Sequence, residues 1–399
     1  MAWRPTAADP PALLLVSVLD SVEHPRLRYR QALTLSQFYF VQLAASGPAV
    51  HPLPDQGLVL HPFAPVGHRS WRRIARLIAL VRLLRRERPA VAHLHSIELL
   101  LPVLLLRPKG CLLVYDRHES YPRNIRYGMH WPRLVRRPLA ALVHHYEQWA
   151  ARRVDGVIYA EAAFAGELPA RRAVVVENRY CGRINPRHIH EKPQTPAQAE
   201  LLVSGTVAVE WGLLRALELW RLWNKHEPAR LAVVGRCRDT GLARTAFDLA
   251  CSWGLSDRLH WEAPAHGVPF ERVESAIEAC SLGLALYVLS PARADRIPSK
   301  FYEFMAWRKP LAFTAHPPWT ALNAKWQFGV GVSDGPPEAA LAAELVSQHR
   351  QGFPDCHPQP VPPSAWHWQS QGEKLVAFYD PLLSTLNHPS KKKNRKTVG

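Results

Sequence analysis

Four polar residues follow one short apolar run, and their side chains can carry protons, accept hydrogen bonds or stabilise charge. The run Cys111–Tyr115 is typical of a buried parallel strand, and Asp116, Arg117, His118 and Glu119 come directly after it. Ligands of open α/β sheets bind at the carboxyl ends of strands, so we expect these side chains to face a ligand cleft. His118 is the first candidate for catalysis, and a purely structural histidine is the alternative.

A second group has the spacing of an anion-binding helix. Ser299 can cap a helix whose first turn holds Lys300 and whose next turn holds Glu303, with Asp295 just before it. Free amides at a helix N-terminus, with an added ammonium, suit a diphosphate. A carboxylate one turn further on can accept hydrogen bonds from both hydroxyls of a ribose. On spacing alone, a solvated amphipathic helix remains the alternative.

Glycines after two strand-like runs could allow a phosphate to approach the backbone closely. Gly205 and Thr206 follow one such run, and Gly212 stands just before a helix-like segment. There is no GxGxxG motif, and Gly235 is equally well explained as a turn between a strand and a loop.

The elements that must position these residues alternate between strand and helix. Strand-like runs occur at Leu13–Leu19, Ala90–His95, Cys111–Tyr115, Val154–Tyr159, Ala173–Val176, Leu201–Ser204, Leu231–Val234, Leu259–Trp261, Leu282–Tyr287 and Leu311–Thr314. Helix-like segments occur at Arg26–Ser46, Trp71–Arg86, Leu139–Arg152, Leu213–Lys225, Ala243–Trp253, Phe270–Cys280, Lys300–Trp307, Pro337–His349 and Trp366–Leu386. The apolar stripe predicted for the second of these helices is Ile74, Leu77, Ile78, Val81 and Leu84. This alternation predicts an α/β protein with parallel, doubly wound sheets.

The length of 399 residues suits two domains. A stretch rich in Pro, Arg, His and Lys, Arg179–Gln198, indicates the connection between them. We predict a Rossmann-like domain at 1–184, a second at 185–350, a Pro-rich segment with a C-terminal helix at 351–388, and a basic disordered tail at 389–399.

The order of these residues resembles that of the retaining glycosyltransferases of the large family 4. The segment VYDRHE, Val114–Glu119, resembles the family's strand-end DxHE segment, and VVVEN, Val174–Asn178, resembles the segment that closes its first domain. Leu202–Gly205 followed by Gly212 resembles the loop that opens the nucleotide domain. The strongest resemblance is that of IPSKFYEFMAWRKP, Ile297–Pro310, to the family's PxKxxEymaxGxP segment.

The resemblance implies a GT-B fold, in which two Rossmann-like domains face each other across a cleft and the C-terminal helix crosses back to the first domain. It places His118 beside the donor sugar, Glu303 on the ribose and Lys300 on the phosphate side. It also places Asp295, eight positions before Glu303, on the sugar hydroxyls near the reacting carbon. The predicted site comprises catalytic His118 and Asp295, donor-binding Glu303, Lys300, Ser299, Gly205, Thr206 and Arg236, and acceptor-side Asp116 and Glu119.

The implied reaction moves a hexose-type sugar from a nucleoside diphosphate sugar to an acceptor hydroxyl with retention. The leaving phosphate accepts the acceptor's proton, and the sequence has no DxD motif, so we expect neither a metal ion nor a cofactor besides the donor. The sequence departs from the family pattern at three places. Asp295 is shorter than the commonest residue there, Arg308 replaces a small residue, and Thr206, Glu210 and Trp211 stand where Arg and Lys are usual. We expect Arg236 or Lys300 to compensate.

The chain has 50 basic and 33 acidic residues, which gives a net charge of +17 and predicts an anionic partner. Arginines cluster around the predicted Trp71–Arg86 helix and again at 123–137, and a basic run stands at Lys391–Lys396. We predict a peripheral enzyme on an anionic inner membrane leaflet, with a lipid-linked or saccharide acceptor in cell-envelope polysaccharide or glycolipid synthesis. Solubility alone is the simpler explanation of these charges. Six scattered cysteines, no signal-peptide pattern and no apolar run of about 20 residues favour the cytoplasm.

Two other functions remain open. A nucleic-acid-binding protein would also use the charge of +17, and the 14 Trp could stack bases. Trp220, Trp223, Trp253 and Trp307 lie in helix-like, partly apolar segments, which favours core packing, so we expect no nucleic-acid partner. A GT-B nucleotide-sugar epimerase is the second alternative.

Overall fold

A computed structural model describes residues 10–47, 57–67, 70–128, 131–183, 198–292, 296–357 and 359–387. The chain forms two compact units. The first comprises Met1–Cys181 and Trp368–Gly399, and the second comprises Gly182–His367. The predicted break at residue 185 and the predicted basic tail lie outside the described residues.

The first unit is built on a seven-stranded parallel sheet with the order β3-β2-β1-β4-β5-β6-β7. Its strands are β1 (Ala12–Ser21), β2 (Phe40–Ser46), β3 (Leu58–Phe63), β4 (Val91–Leu94), β5 (Leu112–Arg117), β6 (Gly156–Tyr159) and β7 (Ala173–Val175). The central strands are continuous apolar runs because helices cover both faces of the sheet. The strand order reverses between β1 and β4, so the carboxyl ends of β1, β4 and β5 surround the point where ligands of such sheets bind.

Two layers of helices cover this sheet. One layer holds a π-helical segment Arg26–Ala32 that continues into α1 (Leu33–Leu35). The other layer holds α2 (Arg72–Glu87), α3 (Leu100–Leu106), α4 (Tyr121–Tyr127), α5 (Arg133–Ala151) and α6 (Ala162–Glu167). The expected helix over Arg26–Ser46 is therefore wrong in its second half, which is the strand β2.

The second unit has a six-stranded parallel sheet with the order β10-β9-β8-β11-β12-β13. Its strands are β8 (Ala199–Val207), β9 (Ala229–Cys237), β10 (Leu259–Glu262), β11 (Leu282–Ala285), β12 (Leu311–Thr314) and β13 (Gly329–Val332). Its helices are α7 (Leu213–Trp223), α8 (Thr240–Ser252), α9 (Phe270–Ala279), α10 (Ser299–Trp307), α11 (Pro317–Trp326), α12 (Ala339–Arg350) and α13 (Pro363–Trp366). Trp220 and Trp223 are fully buried in its core, as their helical positions predicted.

The C-terminal helix α14 (Gln369–Asn387) belongs to the first unit. Its side chains Leu375, Tyr379 and Leu382 are buried in the cluster that also contains β1 and β2. The prediction of a C-terminal helix that returns to the first domain is confirmed, as is the prediction of two doubly wound parallel sheets. No helix among the described residues is long and apolar enough to span a bilayer.

The stripe predicted for α2 is only partly a core face. Val81 and Leu84 are buried, but Ile74 and Ile78 are exposed. The first half of α2 extends past the edge of the apolar cluster that covers the sheet, which includes Leu80 and the residues after it. The predicted stripe is therefore buried in its second half and exposed at these two isoleucines.

Candidate active-site residues in the two units

Two glycines lie side by side at the carboxyl ends of β8 and β9. Gly205 and Gly235 are register partners, and Gly205 has a φ of +72°. A Cβ on Gly235 would lie 2.0 Å from the carbonyl oxygen of Gly205, so only glycine fits there. Thr206 and Arg236 are the next register partners and both are exposed. The strand ends thus present bare backbone flanked by a hydroxyl and a guanidinium.

Lys300 lies against this backbone, and its ammonium is buried. Its Cε is 3.3 Å from the place of a Cβ on Gly205, and its Nζ has no hydrogen-bond partner among the described residues. The ring of Tyr287 is near, with its centroid 5.4 Å from Nζ. Burial lowers the pKa of Lys300 to about 8, while the Glu303 carboxylate acts in the opposite direction. A buried ammonium without a hydrogen-bond acceptor is unfavourable, unless an anion binds it.

The N-terminus of α10 lies at the same place, because Lys300 is its second residue. The residue before the helix is Pro298, and no side chain caps the end, so the prediction that Ser299 caps the helix is wrong. Ser299 is instead the first helical residue, because Pro298 has the extended backbone that precedes a helix. In the first turn of a helix the amides have no intrahelical acceptor, and such amides bind anions.

Glu303 lies one turn further along α10 and is buried. It is close enough to Lys300 for its charge to raise the pKa of that ammonium. Arg236 donates from Nε to the carbonyl of Ala265 at 3.0 Å, which fixes its stem beside the glycines. Of the predicted donor-binding residues, the structure brings Gly205, Thr206, Arg236, Ser299, Lys300 and Glu303 to one edge of the second sheet. The predicted catalytic Asp295 lies outside the described residues.

Gly212 has a packing role, unlike Gly205 and Gly235. It has a φ of +84°, and a Cβ there would lie 2.1 Å from the carbonyl oxygen of Leu286. This glycine therefore lets the start of α7 pack directly on the chain after β11. It supports close packing rather than a phosphate contact.

In the first unit, His118 lies next to a carboxylate at the end of β1. Its Nε2 is 4.0 Å from Oδ2 of Asp20, and Nε2 of His24 is 4.0 Å from the other oxygen of Asp20. Ser17 donates to Asp20 at 2.8 Å and holds this carboxylate in place. Burial would raise the pKa of Asp20, but the two histidines and Ser17 lower it below its usual value. His118 is 13% exposed, so it remains accessible from solvent.

Asp116 faces the interior. Arg26 donates from Nε to both of its oxygens at 3.1 Å, and Gln31 also donates to it. His93 and His95 approach the same carboxylate at 3.5 and 3.9 Å. Burial would raise the pKa of Asp116, but Arg26 and the histidines hold it well below the usual range. The partners of this carboxylate all belong to the first unit, so Asp116 holds neighbouring side chains in place and does not face a ligand.

The other polar residues at the end of β5 also differ in whether they are buried or reachable from solvent. Arg117 is fully buried and binds Glu147 at 3.0 Å and Glu167 at 2.8 Å. Glu119 is half-buried and accepts from Asn124 at 2.8 Å. Of the four polar residues, His118 and Glu119 are therefore those that solvent can reach. The sequence pattern did not distinguish these two from the buried pair.

Three side chains of a type that ligates metal ions lie together in the described part of the chain. One ligand atom each of His93, His95 and Asp116 lies within 4.8 Å of the others. Burial lowers the pKa of both histidines, so they are neutral. Because Arg26 already neutralises Asp116, a divalent ion would add uncompensated charge to a fully buried site. We therefore assign this cluster a structural role.

Sequence reasoning missed Asp20 and His24. Asp20 was noticeable only as the residue that ends the apolar run of β1, and His24 stands in the loop that follows. A carboxylate at the end of β1 could have indicated a functional residue, because the strand order reverses between β1 and β4 and ligands bind at that point. The distance to His118 could not be read from the sequence, since the two residues come from different strands.

The sequence model of one family, described as "Glycosyl transferase 4-like domain", matches residues 28–179. A sequence comparison with curated proteins gives no match. Among solved structures, the chain is similar to sucrose-phosphate synthase from Thermosynechococcus elongatus, with a TM-score of 0.65 and 13% identity over 94% of this chain and 100% of that one.

Two further solved structures agree. HepE from Anabaena, in complex with UDP, has a TM-score of 0.60 and 13% identity, with 94% of this chain and 99% of that one covered. WaaG, a glycosyltransferase involved in lipopolysaccharide biosynthesis, has a TM-score of 0.58 and 15% identity, with 94% and 97% covered. At such identities the likeness shows the fold. It confirms the predicted GT-B fold, and the family match over residues 28–179 shows that the first unit carries a glycosyltransferase 4-like domain, in agreement with the motifs.

Proposed function

We propose that this glycosyltransferase moves a sugar from a nucleoside diphosphate sugar to an acceptor hydroxyl with retention. The observation that carries the proposal is the ammonium of Lys300, which is buried against Gly205 at the N-terminus of α10 and has no hydrogen-bond partner in the part of the chain that the structure describes. Bare backbone, a cation and free helix amides at one point form a site for a diphosphate. Glu303, one turn further on, is the proposed acceptor of hydrogen bonds from the ribose hydroxyls.

In the proposed reaction, the bond between the anomeric carbon and the diphosphate oxygen breaks, and its electrons go to the diphosphate. The acceptor oxygen bonds to the same face of the sugar, and its proton goes to the departing diphosphate oxygen. Lys300 and the first amides of α10 stabilise the charge that builds on the leaving group, without reorganising during the reaction. We expect neither a metal ion nor a cofactor in this reaction.

His118 is the proposed contact to the donor sugar from the first unit, and Asp295 the proposed contact to the sugar hydroxyls. Asp20 lies beside His118 and can orient its ring. Glu119, which solvent can reach, is the carboxylate proposed for the acceptor side. Asp116 is buried, and its proposed role is to hold Arg26 and the neighbouring histidines in position. An imidazole beside a carboxylate can polarise a sugar hydroxyl without forming a covalent bond.

UDP-glucose is the first donor to test, because the solved HepE structures contain UDP and UDP-glucose. The proposed acceptor is a lipid-linked or saccharide hydroxyl in polysaccharide or glycolipid synthesis. The likeness to WaaG, described as involved in lipopolysaccharide biosynthesis, supports this choice. All six cysteines lie in the described residues and no disulfide joins them, which suits the reducing conditions of the proposed cytoplasmic location.

Replacing Glu303 by alanine is expected to weaken UDP binding roughly 10- to 100-fold, because two hydrogen bonds to a charged acceptor are lost. Calorimetry should be done with UDP and with 2′,3′-dideoxy-UDP, each with and without EDTA. The wild type should bind the dideoxy nucleotide as weakly as the variant binds UDP, and the variant should not distinguish the two ligands. Glu344→Ala, at an exposed position of α12, is the matched control.

Equal UDP affinity of Glu303→Ala and wild type would remove Glu303 from the ribose site. Absence of binding to UDP, GDP and ADP alike would contradict the proposed function. Tight, salt-sensitive binding to oligonucleotides in the same screen would instead support the nucleic-acid alternative.

Replacing His118 by alanine is expected to lower turnover about 100-fold and to leave UDP affinity within roughly twofold, because His118 is proposed to contact the sugar and not the nucleotide. Release of UDP from UDP-glucose measures turnover with or without an added glycolipid. The control is His260→Ala, a largely exposed histidine of β10. A free sugar-nucleotide epimer formed without acceptor would favour the epimerase over the transferase.

A further inference from the structure

The first unit exposes an unusual number of large apolar side chains on one layer of helices. Eleven of the eighteen such side chains that are exposed in the described part of the chain belong to α2, α3, α4, α5 and the residues next to them. They are Trp71, Ile74, Ile78, Leu101, Leu105, Leu106, Tyr127, Trp131, Leu134, Val135 and Leu142. Leu134 is 92% exposed and Trp71 is 75% exposed. Contiguous apolar surface of this kind marks an interaction site.

These helices lie side by side. α2 contacts α3, and the Tyr146 hydroxyl on α5 accepts from the amide of Leu101 on α3 at 3.0 Å. All three helices bury their inner faces in one apolar cluster on the sheet. On α2, the residues Trp71, Ile74 and Ile78 are spaced three and four apart, so they form one outward stripe. The exposed apolar residues of α2, α3 and α5 therefore lie on the outer side of one layer of neighbouring helices, here called the α2–α3–α5 face.

The charge on this face is predominantly positive, and the carboxylate next to α3, that of Glu98, is paired with Arg73 of α2. Its exposed basic residues are Arg72, Arg82, Arg85, Arg86, Arg133 and Arg137. The carboxylates on α2, α3, α4 and α5 are Glu87 and Glu147, and both are buried. Exposed apolar side chains are thus interleaved with arginines and with no exposed carboxylate from these helices.

We propose that the α2–α3–α5 face docks on an anionic lipid bilayer, with its apolar side chains at the boundary between headgroups and acyl chains. Arginines next to Trp and Leu on a helix surface are typical of interfacial binding, because the guanidinium groups bind lipid phosphates. This inference goes beyond the proposed function, since it concerns where the enzyme works and not the reaction. It adds an apolar contribution to the electrostatic attraction expected from the charge alone.

Flotation with lipid vesicles tests the proposal in the absence of nucleotide. The full chain should bind vesicles of phosphatidylcholine with 30% phosphatidylglycerol at least roughly 10-fold better than pure phosphatidylcholine vesicles. Trp71→Ser/Leu134→Ser should lower partitioning at least roughly 10-fold and make the remaining binding more salt-sensitive. The matched control, Val209→Ser/Phe247→Ser, removes two exposed apolar side chains of the second unit and should bind as the wild type does.

A charge pair of variants completes the test. Arg133→Gln/Arg137→Gln should lower partitioning roughly 10- to 30-fold, about fivefold for each arginine. Arg230→Gln/Arg244→Gln, at exposed positions of the second unit, removes the same charge and should change it little. All these positions are exposed, so unchanged thermal unfolding is expected.

Three outcomes would overturn the proposal. They are equal binding to neutral and anionic vesicles, equal loss in the control variants, and a wild-type dimer that Trp71→Ser/Leu134→Ser converts to a monomer in sedimentation. The last would make this face an interface between two copies of the chain. Because no nucleotide is used, loss of UDP binding and loss of vesicle binding can be observed separately.

Discussion

Replacing Lys300 by methionine is expected to lower affinity for UDP roughly 30- to 100-fold, about 2–3 kcal/mol, while the free protein becomes more stable. The ammonium is buried and has no hydrogen-bond partner among the described residues, so removing it relieves an unfavourable burial of charge. Methionine has nearly the same length and keeps the packing against Gly205 and Tyr287. The opposite signs of the two effects are the signature of a ligand-binding lysine.

Lys309 provides the matched control, because it is a second buried lysine with a partner. Its Nζ donates to the carbonyl of Cys280 at 2.9 Å. Lys309→Met should therefore leave UDP affinity unchanged but lower the free energy of unfolding by about 1–3 kcal/mol, since a buried carbonyl loses its donor. Calorimetry and denaturant unfolding of the two variants measure both effects. A destabilised Lys300→Met with normal UDP affinity would contradict the assignment of Lys300.

The pKa of Lys300 gives the stability difference a definite pH dependence. Burial lowers this pKa from 10.5 to about 8 in the folded chain, so the unfolded chain binds more protons between these values. The free-energy cost of burying the charged ammonium is fully present below pH 8 and disappears as the pH rises to 10.5. The advantage of Lys300→Met over wild type should shrink by about 3 kcal/mol across that window. A difference that stays constant from pH 7 to 10.5 would mean that the lysine is not buried as a cation.

Both sheets could be predicted from the sequence because their central strands are continuous apolar runs between helices. The grouping of Ser299, Lys300 and Glu303 could also be predicted, because these residues are close in the chain and share one helix. Local spacing determines their relative positions, and no tertiary contact is needed to infer them. The position of the helix start was predicted one residue too late. The extended segment ends at Pro298, so Ser299 is already the first helical residue and does not cap the helix.

The burial of Asp116 could not be predicted, because it depends on residues that are distant in the chain. Its partner Arg26 is 90 residues away, and His93 comes from a neighbouring strand. A polar residue at a strand end looks available for a ligand until the residues packed around it are known. The exposure of Ile74 and Ile78 is similar, because helical periodicity gives the apolar face but not the edge of the core beneath it.

Replacing Arg26 by methionine is expected to destabilise the protein by about 3–5 kcal/mol, because the carboxylate of Asp116 is left buried without its cation. Arg26 also donates to the carbonyl of Val176 and to Asn178, at 2.9 and 2.8 Å. It therefore joins the π-helical segment to β5 and to the chain after β7. Denaturant unfolding with an unchanged m-value measures the loss.

The control is Arg30→Met, on the same π-helical segment. Arg30 is also buried, but its Nε donates to a neutral acceptor, the carbonyl of Arg179, at 2.7 Å. Its loss should cost only about 1–2 kcal/mol, because no charge is left unpaired. The double variant Arg26→Met/Asp116→Asn should be more stable than the sum of the single changes predicts, by at least about 1 kcal/mol. Additive single changes would mean that the pair does not act as a unit.

The pH dependence separates an unpaired charge from simple loss of packing. In the wild type the pKa of Asp116 is held well below 3.8, so its contribution to stability is complete above that value and is lost as the pH falls. In Arg26→Met, burial dominates and the pKa of the same carboxyl rises above its usual value. The folded variant then binds the extra proton, so its deficit should be smallest near pH 4 and grow towards pH 7. Tyr379 on α14 donates to or accepts from His93 at 2.8 Å, next to this carboxyl, so the C-terminal helix is expected to loosen together with the cluster. A deficit that is independent of pH would show that Arg26 stabilises the first unit by packing rather than by its charge.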